Sequence, residues 1–279
     1  MDILKNSNHN TTYKVYAIVA PAIVSQFRQS KFGQVVSGIK ALGFAGVYEA
    51  ALGADITIYR EAKEFKEKKI LTTSCCPSFV AYVEKYFPEL SQYISTSPSP
   101  MVETAMLLKR KDANIKTIFI GPCTSKKLEY KLDKTQGAID SVISFEELQA
   151  FFDARNIELE SLEETPIDDA SFYGRVFAKC GGITQDIKNV ASKFGVDNIS
   201  PVAMSGISEC KVNLLKLKLG KSADNFFEGM ACDGGCINGA LCLHHDIKSL
   251  AMVDNFSKTS SKDIDDSVNT YKNSLENNK

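Results

Sequence analysis

Short runs of β-branched and aromatic residues alternate along this chain with longer amphipathic stretches, and the alternation predicts an α/β fold. The stretch 15–20 is almost wholly apolar and stops at Pro21, the pattern of a buried strand. Further strands are expected at 44–48, 70–73, 115–120, 142–143, 201–204 and 226–227. Between them, 3.6-residue periodicity predicts helices at 34–42, 55–69, 78–86, 88–94, 99–111, 145–154 and 209–219, with one more running from Gly182 to Phe194. In 55–69, Ile56, Ile58, Tyr59, Ala62 and Phe65 form the apolar face, and Arg60, Lys63, Lys66, Glu67 and Lys68 the solvated one. Ser144 is expected to cap the helix that follows it. The acidic stretch 159–169 reads as an exposed loop, residues 1–12 as a disordered start, and 256–279 as a polar tail. No internal repeat is visible.

The totals narrow the function classes. With 279 residues, 44% of them hydrophobic, the chain can build one large core or two lobes. A formal net charge of −1 gives no reason to propose nucleic acid or an anionic membrane as partner. The longest apolar run, 15–24, is too short to span a bilayer and contains Pro21. The first fourteen residues are polar and Asn-rich, without a signal core, so a cytoplasmic protein is expected. In that compartment its eight cysteines should be thiols or metal ligands rather than a disulfide framework.

The most informative stretch is Met230-Ala231-Cys232-Asp233-Gly234-Gly235-Cys236. Two cysteines four apart around a Gly-Gly pair are wrong for a helix, where each glycine costs about 1 kcal/mol relative to alanine. They suit a tight loop whose backbone comes close to a bulky inorganic group. Two other cysteine segments, Ser74-Cys75-Cys76-Pro77 and Gly121-Pro122-Cys123, follow expected strands, where ligands of α/β folds bind. Adjacent side chains at 75 and 76 diverge, so one can be a ligand while the other stays a free thiol. Pro77 suits the first position of a helix whose positive end would face an anionic cluster. Cations at Lys126 and Lys127 stand one turn beyond Cys123. Cys180, Cys210 and Cys242 read as buried small hydrophobes, and His244-His245-Asp246 as a surface group without a further ligand.

Three segments together resemble the signatures of iron-only (FeFe) hydrogenases: Thr73 to Pro77, Gly121 to Glu129, and Glu228 to Cys236, in the family's order, with similarity from about Tyr13 to Cys242. The resemblance implies a catalytic domain over 13–255 in two lobes, about 13–135 and 136–255, of small mixed or parallel sheets flanked by helices. Its cluster would lie in the cleft between them. The cofactor implied is a 4Fe–4S cubane joined to a diiron unit carrying CO, cyanide and a bridging dithiolate. Cys76, Cys123, Cys232 and Cys236 would hold the cubane, with Cys236 bridging to the diiron unit. Cys75 would be the free thiol that passes protons, relayed through Glu61, Ser95 and Glu64, with Glu129 near the cluster. Lys126 would pair with a cyanide, while Met230, Phe177, Pro21 and Gly121 would line the diiron pocket. Glu61 and Glu64 are three apart and share a helix face, which suits a relay.

Some positions depart from the family pattern. Gly121 stands where methionine is usual and is expected to open space beside the cluster. Ala22 replaces a serine, Asp233 replaces proline or histidine and adds negative charge, and Gly239-Ala240-Leu241-Cys242 replaces a glycine-rich run. These changes place the chain on a divergent branch and predict a shifted cluster potential. No cysteine precedes Cys75, so no accessory cluster of the ferredoxin-like kind can be built there. Electrons would come from an external carrier such as ferredoxin, unless the chain is part of a longer enzyme, and maturation proteins would load the cluster. Hydrogen sensing and a non-catalytic iron–sulfur role are the alternatives within the same family.

Overall fold

The computed structural model describes residues 2–135 and 137–276. Seven strands run Lys14–Val19 (β1), Gly46–Glu49 (β2), Leu71–Thr72 (β3), Ile115–Ile120 (β4), Ser141–Ile143 (β5), Pro201–Ser205 (β6) and Phe226–Met230 (β7). They form two sheets, ordered β2-β1-β4-β5 and β3-β7-β6, and every pairing is parallel. The helices are Asp2–Asn6 (α1), Phe32–Ala41 (α2), Ala50–Lys68 (α3), Pro77–Tyr86 (α4), Pro100–Lys111 (α5) and Lys126–Glu129 (α6). They continue with Phe145–Ala154 (α7), Phe172–Val176 (α8), Ile187–Ser192 (α9), Gly206–Lys218 (α10), Lys248–Ser257 (α11) and Ile264–Glu276 (α12). All seven expected strands are present, and Ser144 caps α7 in a capping box with Glu147.

The two sheets are not divided along the chain at residue 135. The long helix α3 carries the chain from the edge of the first sheet to β3 of the second, and α5 returns it to β4 of the first. Residues 71–72 therefore belong with 201–230, and 141–143 with 14–49. The reason is that α3 is buried along most of its length and serves both cores. Its first turn, Ala50-Ala51-Leu52-Gly53-Ala54, has no polar face, so periodicity placed its start five residues late. Gly53 admits the closest approach: a side chain there would begin 2.1 Å from the Pro100 carbonyl oxygen of α5.

Three further expectations are corrected. Residues 2–6 are helical rather than disordered, and the start is tied down by the Tyr13 hydroxyl donating to the Ile3 carbonyl at 2.9 Å. The polar C-terminal segment is a docked helix rather than a loose one: α12 packs on α3, where the Ser267 hydroxyl donates to buried Asp55 at 2.7 Å. The acidic loop is only partly exposed, because its acids hold a buried arginine. Arg175, 1% exposed, donates to both carboxylate oxygens of Glu49 at 2.8 and 2.6 Å and to Asp168 at 2.8 Å, and its guanidinium lies 4.2 Å over the Phe256 ring. Met1, Gln136 at the expected lobe boundary and residues 277–279 of the expected tail lie outside the described residues.

Arg175→Met should leave the Glu49 carboxylate buried without its cation, holding only the Asp169 N–H at 3.0 Å, a loss of about 3–5 kcal/mol. In a chain of this size that is roughly a 10 °C fall in melting temperature by circular dichroism. A fall of less than about 2 °C would mean that the buried pair adds nothing to stability.

Candidate active site

The C-terminal ends of both sheets face one another, and between them lies a cavity of about 80 Å³. The first sheet contributes Ala20, Pro21 and Ala22 after β1, and Phe119, Pro122 and Cys123 around the end of β4. The second contributes Cys75 and Cys76 after β3, and Met230 and Cys236 around the end of β7. Ala50, Ala54, Met101, Lys126, Phe177 and Ala178 complete most of the wall. Such a wall excludes water and concentrates the few polar groups that face it.

Four cysteines converge here, each delivered by a different local device. Cys76 is the N-cap residue of α4, where the nearby Phe79 and Ala231 backbone N–H groups favour its thiolate. Cys123 follows β4 in the turn that leads to α6. Cys232 and Cys236 bracket the Gly-Gly turn, where Gly234 and Gly235 both have positive φ, 77° and 98°. A side chain at Gly235 would begin 2.6 Å from the Cys180 amide nitrogen, so only glycine fits. That close packing is sealed by the Cys180 N–H donating to the Gly234 carbonyl at 3.0 Å and the Ile237 N–H donating to the Ala178 carbonyl at 3.1 Å.

The four thiols feel one another. Burial raises Cys76, and Cys123 raises it further; burial raises Cys232 to about 11, with Cys76, Cys123 and Asp233 adding to it. Burial pushes Cys236 well up, followed by Cys123, Cys76 and Cys232, with Lys126 opposing. Three half-buried thiols that resist ionising, with Cys123 beside them, are a donor set that cationic iron would satisfy. Among the described residues no three His, Cys, Asp or Glu side chains sit tightly enough for a single metal ion. A cubane asks less of each residue, since each of its four irons takes one thiolate. The donor set therefore fits a polynuclear cluster, and the apolar cavity beside it fits a group that brings most of its own ligands.

Cys75 points into the same cavity but toward a different set of partners. Burial raises its thiol well above the usual range, and the nearby Glu61 raises it further. Glu61, fully buried on α3, accepts the Ser74 N–H at 3.2 Å through Oε1, while its Oε2 has no hydrogen-bond partner. Burial pushes Glu61 up to about 8, against the Ser74 bond. Ser95 lies near both acids of α3, and its single hydroxyl proton goes to Glu64 at 2.9 Å. Glu64 accepts the Thr96 N–H at 3.0 Å, is paired with Lys68 at 2.8 Å, and lines a surface depression. Carboxyl and hydroxyl groups thus stand in a file from the cavity toward the surface.

Lys126 also reaches the cavity, its ammonium donating to Glu129 at 2.6 Å and to the Cys75 carbonyl at 3.2 Å. Burial alone would lower its pKa, but Glu129, Cys123 and Cys75 together raise it, so it stays a cation. Pro21, Phe177 and Met230 line the cavity as expected. Gly121 does not open space there. Phe119, two residues earlier on the same face of β4, folds over the position, and a side chain at 121 would begin 2.5 Å from its ring. Cys210 and Cys242 are buried and free, whereas Cys180 is half-buried. The Cys242 thiol donates to the Cys236 and Ile237 carbonyls at 3.5 and 3.4 Å, bracing the turn.

The third signature opens on a buried acid to which the sequence reading gave no role. Glu228, in the apolar run of β7, accepts the Gly181 and Thr184 N–H groups at 2.8 Å each, and burial pushes it up to about 7. A lone carboxylate inside an otherwise apolar strand was the signal that could have found it.

The raised acids set a pH dependence for the metal-free protein. A carboxyl with a raised native pKa holds its proton more tightly when folded, so stability falls as pH climbs between the unfolded and folded values. For Glu61 that window runs from 4.5 to about 8. Glu61→Gln should flatten the slope, leaving the variant relatively more stable at pH 8 than at pH 5 by denaturant titration. An unchanged slope would show that Glu61 titrates normally.

Residues 13–240 match the family model described as iron only hydrogenase large subunit, C-terminal domain. The chain is 28% identical to iron hydrogenase 1 of Clostridium pasteurianum over 91% of its own length and 54% of that protein. It is 30% identical to the cytosolic Fe-S cluster assembly factor NAR1 of Eremothecium gossypii, over 47% of its own length and 31% of that protein. The chain spans about half the length of the curated hydrogenases it matches. In fold it is similar to an apo [FeFe]-hydrogenase from Chlamydomonas reinhardtii, with a TM-score of 0.76 and 21% identity, covering 97% of this chain and 92% of that one.

Proposed function

The chain belongs to the iron-only hydrogenase large-subunit family, matching its C-terminal domain, and from that premise we propose that it interconverts protons, electrons and molecular hydrogen at a cubane-linked diiron centre. When bound, that group supplies the electron storage and the chemistry at hydrogen, while the protein supplies position, dryness and protons. Cys76, Cys123, Cys232 and Cys236 would hold it, Cys236 lining the cavity as well. Lys126, kept cationic by Glu129, neutralises anionic ligands, and Pro21, Phe177 and Met230 keep water out.

The proton route is carried by the chain's own residues. Cys75 holds a proton at Sγ beside the cavity and exchanges it with the unpaired Oε2 of Glu61. Ser95 then links Glu61 to Glu64, which meets solvent and Lys68. This buried relay is the observation that carries the reading. A protein that only stored a cubane would need the four thiols but no proton path ending in a separate cavity. No helix among the described residues is long and apolar enough to cross a membrane; electrons are supplied by a separate carrier in this reading.

Infrared spectroscopy of protein matured with its assembly machinery tests it. CO and cyanide bands together with hydrogen production are expected. Bands with negligible turnover would point to hydrogen sensing. A cubane without bands would replace the reading with a non-catalytic iron–sulfur role.

A further inference from the structure

Glu228 is fully buried on β7, two residues before Met230 and so on the same face of the strand, one step behind a side chain that lines the cavity. Each of its oxygens accepts a different backbone amide: Oε1 takes the Gly181 N–H and Oε2 the Thr184 N–H, both at 2.8 Å. Among the described residues it forms no salt bridge, so these amides carry the buried charge. Burying a carboxylate without a counter-charge is costly, and the cost is offset only while acid and amides stay in register.

The segment that supplies those amides has two other attachments. Its start, Phe177 and Ala178, lines the cavity. Its middle is zipped to the turn between Cys232 and Cys236. Lys179 pairs antiparallel with Gly235, the Cys180 N–H donates to the Gly234 carbonyl at 3.0 Å, and the Ile237 N–H donates to the Ala178 carbonyl at 3.1 Å. Its end doubles back through Gly181, whose φ is 90°, so tightly that a side chain at Gly182 would begin 2.4 Å from the Val176 carbonyl oxygen and 2.9 Å from the Phe177 Cα. The backbone thus closes a ring. It runs from Glu228 along β7 to Cys232, round the Gly-Gly turn, across to Cys180, and through Gly181 back to the Glu228 carboxylate.

We propose that Glu228 is a positioning residue for the cluster: its carboxylate locks this ring, fixes the Cys232–Cys236 turn against the Phe177–Ala178 wall, and keeps a negative charge behind both. The inference rests on the cubane reading above. Gly181 and Thr184 touch the acid from one side and β7 carries it on the other, so loosening either bond frees the cavity wall and the cysteine turn together.

The test compares the wild type with Glu228→Gln, both reconstituted with the cubane. Glutamine keeps the shape but turns an NH₂ toward one of the two amides, so one bond is lost. Hydrogen exchange read by mass spectrometry should become about 10-fold faster or more in peptides covering 178–185 and 232–238 alike, with β1 unchanged. Iron content should be retained, while the midpoint potential of the cubane at pH 8 moves to a more positive value because a buried negative charge is gone. Faster exchange confined to 178–185, with an unchanged potential, would make Glu228 a local brace of its turn and overturn the proposal. In the wild type, exchange of 178–185 at the rate of unprotected chain overturns it even if the variant fails to fold. Wild-type protein that takes up no cubane would sink the cluster assignment, and the positioning role with it.

Discussion

Cys75→Ser should assemble its iron–sulfur centre normally yet turn over hydrogen at least about 100-fold more slowly than the wild type. The expectation follows from where the thiol stands. It lines the cavity, is almost wholly buried, and is the first group between that cavity and Glu61. Serine keeps the shape and a hydroxyl, but an alcohol does not exchange protons as a thiol does. Removing a general acid–base group of this kind costs about 10²–10⁴ in rate. The measurement is hydrogen evolution from reduced viologen, alongside iron content and infrared bands. Full activity in the serine variant would sink the relay, because Glu61 would then need no neighbour on the cavity side.

Cys76→Ala should fail at an earlier stage. Cys76 stands at the N-cap position of α4, at the positive end of the helix, an arrangement that stabilises a thiolate ligand. Without it, a cubane keeps three thiolates, and iron and acid-labile sulfide should drop from about four of each per chain to well below one after desalting. Cys210→Ala should retain them, since Cys210 donates only to the Met204 and Met230 carbonyls and stands away from the cavity. The adjacent pair makes the test sharp. If the alanine at 76 kept its cluster and the serine at 75 lost it, the ligand and relay roles would have to be exchanged.

Much of the site was legible because its chemistry is local in the chain. A glycine pair between two cysteines, a proline directly after Cys76, and a lysine one turn beyond Cys123 each announce a backbone device that needs few neighbours. The relay was half legible: Glu61 and Glu64 share a helix face, but only packing shows that Glu61 is fully buried and that Ser95 stands near both. Gly121 misled because the absence of a side chain says nothing about which neighbour fills the gap, and here Phe119 does. Glu228 was passed over because a single acid in a strand carries no periodic signal. The start of α3 was misplaced because a helix buried on every side shows no amphipathic stripe.

By itself, the sequence determined the α/β alternation, the seven strands, the turns that carry the cysteines, and the chemistry of the donor set. These depend on residue type and short-range spacing, which local sterics and hydrogen bonding turn directly into structure. Only the tertiary structure decided which strands share a sheet, that the chain crosses between lobes through α3 and α5, that α12 is clasped to Asp55, and that Arg175 is held by the acidic loop. Those outcomes are set by long-range burial, in which a polar or apolar group finds its partner a hundred residues away, and no local pattern encodes that choice.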